Sequence, residues 1–303
     1  MQERLVICVC TFRRADGLRE LFGSFVELKV GSGLDLSIVV VDNDEVPSSQ
    51  DIVGSLSEDL DWPVRYVHEP EPGIPSARNR AIREAGTEGY MVFVDDDETV
   101  DPNWVSELIT VINETQASFV QGPMVMKVDD PDDAWFLDTA LYKQKTFPDR
   151  TKRHESWTNN VAIDLGFLSQ TGCKFDNALR FDGGSDTLFF QDIVREGGKG
   201  VFAAKAIVFE VQPKSRLSWR WAIRRQYRYG MTRANTMRLR SSRISALSYC
   251  VIRGGAMMMF GLGHLLTGIV RGRKGIANGM AYIARGCGVW MGCLGARRLE
   301  YAR

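Results

Sequence analysis

Short runs of consecutive apolar residues alternate with amphipathic stretches over the first 115 positions. Leu5–Cys10 reads Leu-Val-Ile-Cys-Val-Cys, with no polar alternation. That is the pattern of a strand covered on both faces, as in a parallel sheet. Leu36–Val41, Val64–His68 and Tyr90–Val94 are predicted as the next three strands. Between them, Gly17–Leu28, Asp51–Leu60 and Ala77–Ala85 are predicted helices, and Asn103–Thr115 is a helix after the fourth strand. The order predicts an α/β layered domain with a mostly parallel central sheet.

Beyond residue 120 the pattern loosens. Phe119–Val128 reads as a strand pair or one bent strand around Gly122-Pro123, and Trp135–Trp157 as a long excursion without periodicity. Thr158–Ile163 is a short strand, Gly183-Gly184-Ser185-Asp186-Thr187 leads into an apolar helix, and Val201–Val211 is a last strand. Residues 251–270 and 276–296 are two nearly uncharged runs around Arg271-Gly272-Arg273-Lys274. Each run approaches the length of a membrane span. A two-span hairpin would carry this basic loop away from the rest of the chain, against the positive-inside bias. In-plane or re-entrant helices are therefore expected, with the basic residues toward anionic headgroups. A soluble helical appendage is the alternative. Ala284, Gly288, Gly292 and Ala296 form a small-residue stripe suited to helix packing. The expected division is 1–235 and a helical, basic and apolar region, 236–303.

Apolar residues at 44% exclude a long disordered chain. The formal net charge is zero, but it is unevenly spread. Residues 1–210 hold 20 basic and 37 acidic side chains (−17), and residues 211–303 hold 18 basic and one acidic (+17). Two regions with different partners follow from such a split. The acidic first region and the apolar runs argue against nucleic acid. Six scattered cysteines form neither a zinc knuckle nor a disulfide framework, so a reducing compartment is expected. The first residues run directly into a strand, and no signal peptide is expected.

Acidic clusters follow two predicted strands: Asp42-Asn43-Asp44 and Asp95-Asp96-Asp97-Glu98. Ligands of open α/β sheets bind outside the carboxyl ends of strands. Asp42 is read equally well as a strand-ending turn residue. Three consecutive carboxylates repel one another unless exposed or bound to a cation, which favours a divalent ion at Asp95–Asp97. Asp186 is either a site carboxylate or a helix cap. His264, inside an apolar run, is read as a hydrogen-bonded or interfacial histidine, and His68 as a cap of the proline-rich loop. His154, Trp135 and Trp157 lie in or beside the excursion, where acceptor contact and ordinary packing are both open.

Five segments together resemble family 2 glycosyltransferases of the GT-A fold. They are Val9-Cys10-Thr11-Phe12-Arg13-Arg14, Val40-Val41-Asp42-Asn43, Pro72-Gly73-Ile74-Pro75-Ser76-Ala77-Arg78-Asn79, Phe93-Val94-Asp95-Asp96-Asp97, and Gly183–Thr187 followed by Phe189-Phe190. They occur in the family's order, and the match spans residues 3–235. The resemblance implies an inverting, metal-dependent transferase taking a nucleotide-sugar donor, most commonly a UDP-sugar. It implies Asp97 as metal ligand with Asp95, for Mg2+ or Mn2+. Asp95 and Asp96 would lie against the ribose or in the metal's outer shell. Asp42 would meet base or ribose, Arg78 base or diphosphate, and Thr11 and Arg13 the donor from the first loop. Asp186 would be the catalytic base, preceded here by Ser185 where many relatives have Glu. The processive element Gln-x-x-Arg-Trp is altered around Gln226, where Arg228 follows by two and Tyr229 stands for Trp. Transfer of one sugar to a lipid-linked or glycan acceptor is expected, for polysaccharide or glycolipid synthesis. The expected location is the cytoplasmic side of the cell membrane, peripheral or re-entrant. A nucleotidyltransferase would want a Gly- and Lys-rich loop where Thr11–Arg14 stands, and a dinucleotide dehydrogenase a Gly-x-Gly-x-x-Gly after Leu5–Cys10. A non-catalytic scaffold is opposed by the presence of Asp42, Asp97 and Asp186.

Overall fold

The apolar runs become strands in a computed structural model, which describes residues 2–179 and 183–296 apart from the side chains of Ile269 and Arg271. In chain order the elements are β1 (Glu3–Thr11), α1 (Ala15–Phe25), β2 (Leu34–Asp42), α2 (Gln50–Ser57), β3 (Val64–His68), α3 (Ile74–Ala85) and β4 (Tyr90–Asp95). There follow β5 (Glu98–Val100), α4 (Trp104–Thr115), β6 (Phe119–Gln121), β7 (Met124–Lys127), α5 (Ala134–Leu137), β8 (Lys152–Arg153), β9 (Asn160–Asp164) and α6 (Leu165–Thr171). The last are α7 (Ser185–Arg195), β10 (Gly200–Phe202), β11 (Val208–Val211), α8 (Trp219–Arg240) and α9 (Arg243–Cys293).

Contacts divide the chain into two units, one of residues 1–125, 145–181 and 185–210, the other of 126–144, 182–184 and 211–303. The first unit holds an eight-stranded sheet ordered β3-β2-β1-β4-β9-β6-β10-β8. β3, β2, β1 and β4 are parallel neighbours, as are β6 and β10. β9 runs antiparallel to both β4 and β6, and β8 antiparallel to β10. Both faces are covered, which is why the strands carry unbroken apolar runs. On one face Leu5, Ile7, Val9, Ile38 and Val40 pack against Leu18, Phe22 and Phe25 of α1 and Trp104 and Leu108 of α4. On the other, Val6, Cys8, Val39, Val41 and Phe93 meet Ala77 and Ala81 of α3, Leu168 of α6 and Phe189 of α7.

Two sequence expectations change. Val201–Val211 is two strands, because β10 pairs with β6 while β11 pairs antiparallel with β5, and the chain turns at Ala203–Ala206 to reach the second partner. The basic segment 271–274 is not a loop. α9 is helical on both sides of Gly272, whose left-handed φ of 61° breaks it at one residue. The side chain of Arg271 lies outside the described residues.

The second unit is helical. Phe136, Leu141, Tyr142, Ala222, Ala277 and Ala281 form one small core, and Ala234, Cys250 and Val289 another. α8 runs continuously through position 235. Gln226 is buried, its Nε2 donates to the Leu141 carbonyl at 2.6 Å, and its Oε1 accepts from Arg285 Nε at 2.9 Å. Trp135 stacks on Phe136, and His264 stacks on Tyr282.

Candidate active site

The parallel register places three chain reversals at one edge of the sheet. Thr11 is opposite Asp42, Cys10 opposite Asp95, and Asp42 opposite His68. Acidic side chains that follow β2 and β4 therefore open at the same edge, one on each side of β1.

Asp42 is fully buried. Its carboxylate accepts from the Ser49 amide at 2.7 Å, the Asp44 amide at 3.2 Å and the Tyr66 hydroxyl at 2.9 Å. Its partners in the structure thus shape the loop between β2 and α2. Burial, then the bond to Asp42, pushes the Tyr66 hydroxyl upward. Arg13 takes a left-handed φ of 54° and donates through Nε and Nη2 to Asp44 at 2.7 and 3.0 Å. That fork holds the Asp44 carboxyl down at about 2.

Asn43 links this loop to the next one. Its Nδ2 donates to the carbonyls of Glu69 and Glu71 at 2.9 and 2.7 Å, and its Oδ1 accepts from the Gly73 amide at 3.0 Å. Gly73, at φ 122°, precedes α3, and Pro75 occupies that helix's first turn, where no amide donor is needed. The proline-rich loop is thereby tied to β2, and Arg78 is presented one turn into α3.

β4 ends at Asp95, and Asp96-Asp97 form the tight turn into β5. Thr11 Oγ1 donates to Asp96 Oδ2 at 2.7 Å. Arg14, given no role in the sequence reading beyond its place in the first loop, pairs with both Asp96 and Asp97. Asp97 keeps a side-chain exposure of 30%. Burial raises the Asp95 carboxyl to about 7; Arg78 opposes the shift, and Asp97, Asp96 and Asp186 add to it. Burial likewise raises Asp96 to about 6 against Arg14 and the Thr11 bond. Glu98 is pushed up by burial and by Asp95; it accepts from the Asp95 amide and from Asn159 Nδ2.

Asp186 sits in the first turn of α7 with 20% of its side chain exposed. It is ion-paired with Arg78, and it accepts from Thr158 Oγ1 at 3.3 Å and Ser185 Oγ at 3.2 Å. Arg78 also lies 5.6 Å from the Phe175 ring centroid. The structure thus brings together Thr11, Arg78, Asp95, Asp96, Asp97 and Asp186, with Asp42 and Arg13 engaged in the adjoining loop. Arg14, Thr158 and Asn159 join them without having been assigned a role, as does Glu98, the last member of the acidic cluster. Thr158 and Asn159 are ordinary polar residues ahead of a strand, and no sequence pattern marks them. His154 is exposed, and the His68 ring nitrogen lies 2.9 Å from the Asp44 carbonyl.

Could the acidic turn hold a divalent cation? Burial sets its carboxylates against one another, with Arg14 and Arg78 as nearby counter-charges. Among the described residues no three His, Cys, Asp or Glu side chains are gathered as a cage. The protein would supply one or two carboxylates, the donor set typical of Mg2+ or Mn2+ that complete their shell with phosphate and water. The residues present fit such an ion.

The model of the family described as Glycosyl transferase family 2 matches residues 6–172. The chain is 30% identical over 226 residues to the succinoglycan biosynthesis protein ExoM of Rhizobium meliloti (strain 1021), covering 75% of this chain and 72% of ExoM. It is 31% identical over 127 residues to a glucosyl-dolichyl phosphate glucuronosyltransferase of Haloferax volcanii, covering 41% of this chain and 39% of that protein. In fold it resembles the mannosyltransferase PcManGT of Pyrobaculum calidifontis, solved with GDP-Man and Mn2+. There the TM-score is 0.63 at 16% identity, over 95% of this chain and 87% of that one.

Proposed function

Because the chain belongs to glycosyl transferase family 2 and is a glycosyltransferase, we propose that it moves one sugar, with inversion, from a nucleotide-sugar to a lipid-linked or glycan acceptor. The product would enter a cell-surface polysaccharide or glycolipid at the cytoplasmic side of the membrane. The names of two relatives, a succinoglycan biosynthesis protein and a glucosyl-dolichyl phosphate glucuronosyltransferase, support an acceptor of this kind. UDP-sugars are the first donors to assay, with GDP-sugars beside them.

One observation carries the reading: a partly exposed Asp186, oriented by Arg78, Thr158 and Ser185, close enough to the Asp95–Asp97 turn that its charge acts on Asp95. The acceptor hydroxyl must lose a proton as it attacks the anomeric carbon, and Asp186 is the carboxylate assigned to take it. Three donors on Asp186 leave the carboxylate little freedom, which suits a base that must meet one hydroxyl. Asp97 and Asp95 are the residues that would hold a divalent cation, whose chemistry is to neutralise the departing diphosphate. Asp96 and Thr11 brace that turn, and Arg14 balances its charge. Asp42 acts through the loop it organises, with Arg13 and Asp44 closing the same loop, and Arg78 orients the base.

The test is turnover with UDP- and GDP-sugars and extracted membrane lipids, with product mass and anomeric configuration read by mass spectrometry and NMR. Asp186→Asn should bind donor normally and lose ~10²–10⁴-fold in turnover. Wild-type turnover in that variant would move the base elsewhere, and a retained anomeric configuration would overturn the single displacement.

A further inference from the structure

The helical unit carries an inference that stands whether or not the donor and acceptor assignments above do. Its starting point is the surface of α9. The limb 243–271 packs along one side against the limb 273–293. Gly254 lies against Trp290, Gly261 against the Gly279 carbonyl and Ile283, and Gly268 against Ile276. A Cβ at Gly261 would come within 2.8 Å of that carbonyl oxygen. The contacts recur every seven residues, so the two limbs lie side by side along their length.

Away from that seam the first limb is bare. Ile252, Met259 and Leu266, also seven apart, are 71%, 69% and 73% exposed, and Ile244, Val251, Phe260, Leu262 and Val270 are exposed beside them. Residues 254–270 contain no Asp, Glu, Lys or Arg. The segment Arg243–Gly268 is long and apolar enough to cross a membrane. No acidic residue occurs from 211 to 296. Arg243 begins the limb and Arg253 lies ten residues in, just before the uncharged stretch; Arg273 and Lys274 lie just past the other end, where Lys274 also pairs with the exposed Asp138 at 2.8 Å. Arg273 is 4.5 Å from the ring centroid of Trp135, which packs on Phe136 and Trp219. Aromatic rings beside cationic side chains are the chemistry of the headgroup boundary. A broad apolar face without a charged residue to register a protein partner, on a stretch whose only charges from 211 to 296 are basic, fits anionic lipid.

The same packing decides between crossing and lying flat. The limb 273–293 is seated on α8 as closely as on the first limb. A Cβ at Gly288 would fall 2.0 Å from the Tyr227 carbonyl oxygen, and one at Gly292 2.6 Å from that of Met231. α8 carries arginines at 220, 224, 225, 228, 233, 238 and 240. Sending the first limb through a bilayer would draw that helix toward the hydrocarbon, where each arginine is costly. We propose that the limb 243–271 lies in the plane of an anionic lipid bilayer, its outer face of Ile252, Met259 and Leu266 in the acyl boundary and its flanking arginines and lysine at the headgroups.

The full chain should float with phosphatidylcholine vesicles containing phosphatidylglycerol, bind pure phosphatidylcholine more weakly, and resist stripping by high salt. Met259→Glu and Leu266→Glu change exposed positions and should each lower partitioning on the order of tenfold, without altering the melting temperature. Orientation is read with a genetically encoded fluorophore at 252, 259 or 266 of the full chain, quenched by lipids brominated at different depths. Equal, shallow depths at all three positions are expected. The fourteen steps from residue 252 to residue 266 rise about 21 Å along a helix. A depth gradient approaching that length would replace the in-plane helix with a span. Failure to bind either vesicle would overturn the proposal, as would a lipid-indifferent dimer in which these three positions become protected.

Discussion

Gly17, in the first turn and a half of α1, tests whether the acidic turn is held where it must be. A Cβ built there would lie 2.2 Å from the Asp96 carbonyl oxygen and 3.2 Å from its carbon. Ordinary contact begins near 3.4 Å, so Gly17→Ala forces a separation of about 1 Å between α1 and the turn. The helix cannot easily yield, because Leu18, Leu21, Phe22 and Phe25 anchor it in the core. The turn must move, and the overpacking costs about 1–3 kcal/mol. Alanine's helix propensity returns up to about 1 kcal/mol, leaving a net loss of about 0–2 kcal/mol. A shift of about 1 Å in a positioning group is expected to lower activity about 10²-fold. Gly23, in the same helix, has nothing within 4 Å of its Cβ position. Gly23→Ala should therefore gain about 0.5–1 kcal/mol and keep full turnover. The assay is a pair of thermal melts and a pair of turnover measurements with one donor. Gly17→Ala as stable and as active as Gly23→Ala would refute the claim that this contact sets the turn.

Chelation should abolish transfer, Mn2+ or Mg2+ should restore it, and Asp97→Ala should lose most activity while melting as the wild type does; this is read by turnover after metal titration. Thr158→Val removes a hydroxyl donated to Asp186 while keeping shape, and should lower kcat about fivefold, for a bond of about 1 kcal/mol, with donor KM unchanged. Asp44 is held at about 2 against an ordinary 3.8, chiefly by its bonds to Arg13, so the unfolded chain binds the proton more readily than the folded one. That stabilisation is complete above pH 4 and fades as pH falls toward 2, so the melting temperatures of wild type and Asp44→Asn should converge across that window.

Much of the sheet was legible because β1 to β4 are covered on both faces, which writes an unbroken apolar run into each. Direction was not legible: Thr158–Ile163 reads as a strand, but nothing in its composition says that β9 runs antiparallel between β4 and β6. The three residues of β5 are too few for a period. Asn160 falls inside the predicted strand Thr158–Ile163 with no role attached to it. In the structure it is buried, accepts from Trp104 Nε1, and donates to the carbonyls of Pro123 and Ala206. The pairing of Arg78 with Asp186 joins residues 108 positions apart, and Thr158 reaches the same carboxylate from a third segment. Such partners are set by tertiary contact, which local pattern does not record.

The electrostatic character of the site follows from topology before any residue is assigned a role. Parallel strands bring their carboxyl ends to one edge, so the acidic turns after β2 and β4 both open there, one on each side of β1. Crowding raises Asp95 and Asp96, and relief has to come from cations delivered by other segments. Arg14 arrives from the loop after β1, whose path onward is set by the bare Gly17 contact with Asp96. Arg78 arrives on α3, whose start is fixed by Gly73 and by Asn43 reaching across from β2. The charge balance therefore depends on two backbone approaches that carry no charge themselves. Substitution at Gly17 or Asn43 should accordingly disturb the site as strongly as loss of an arginine, although neither residue carries a charge.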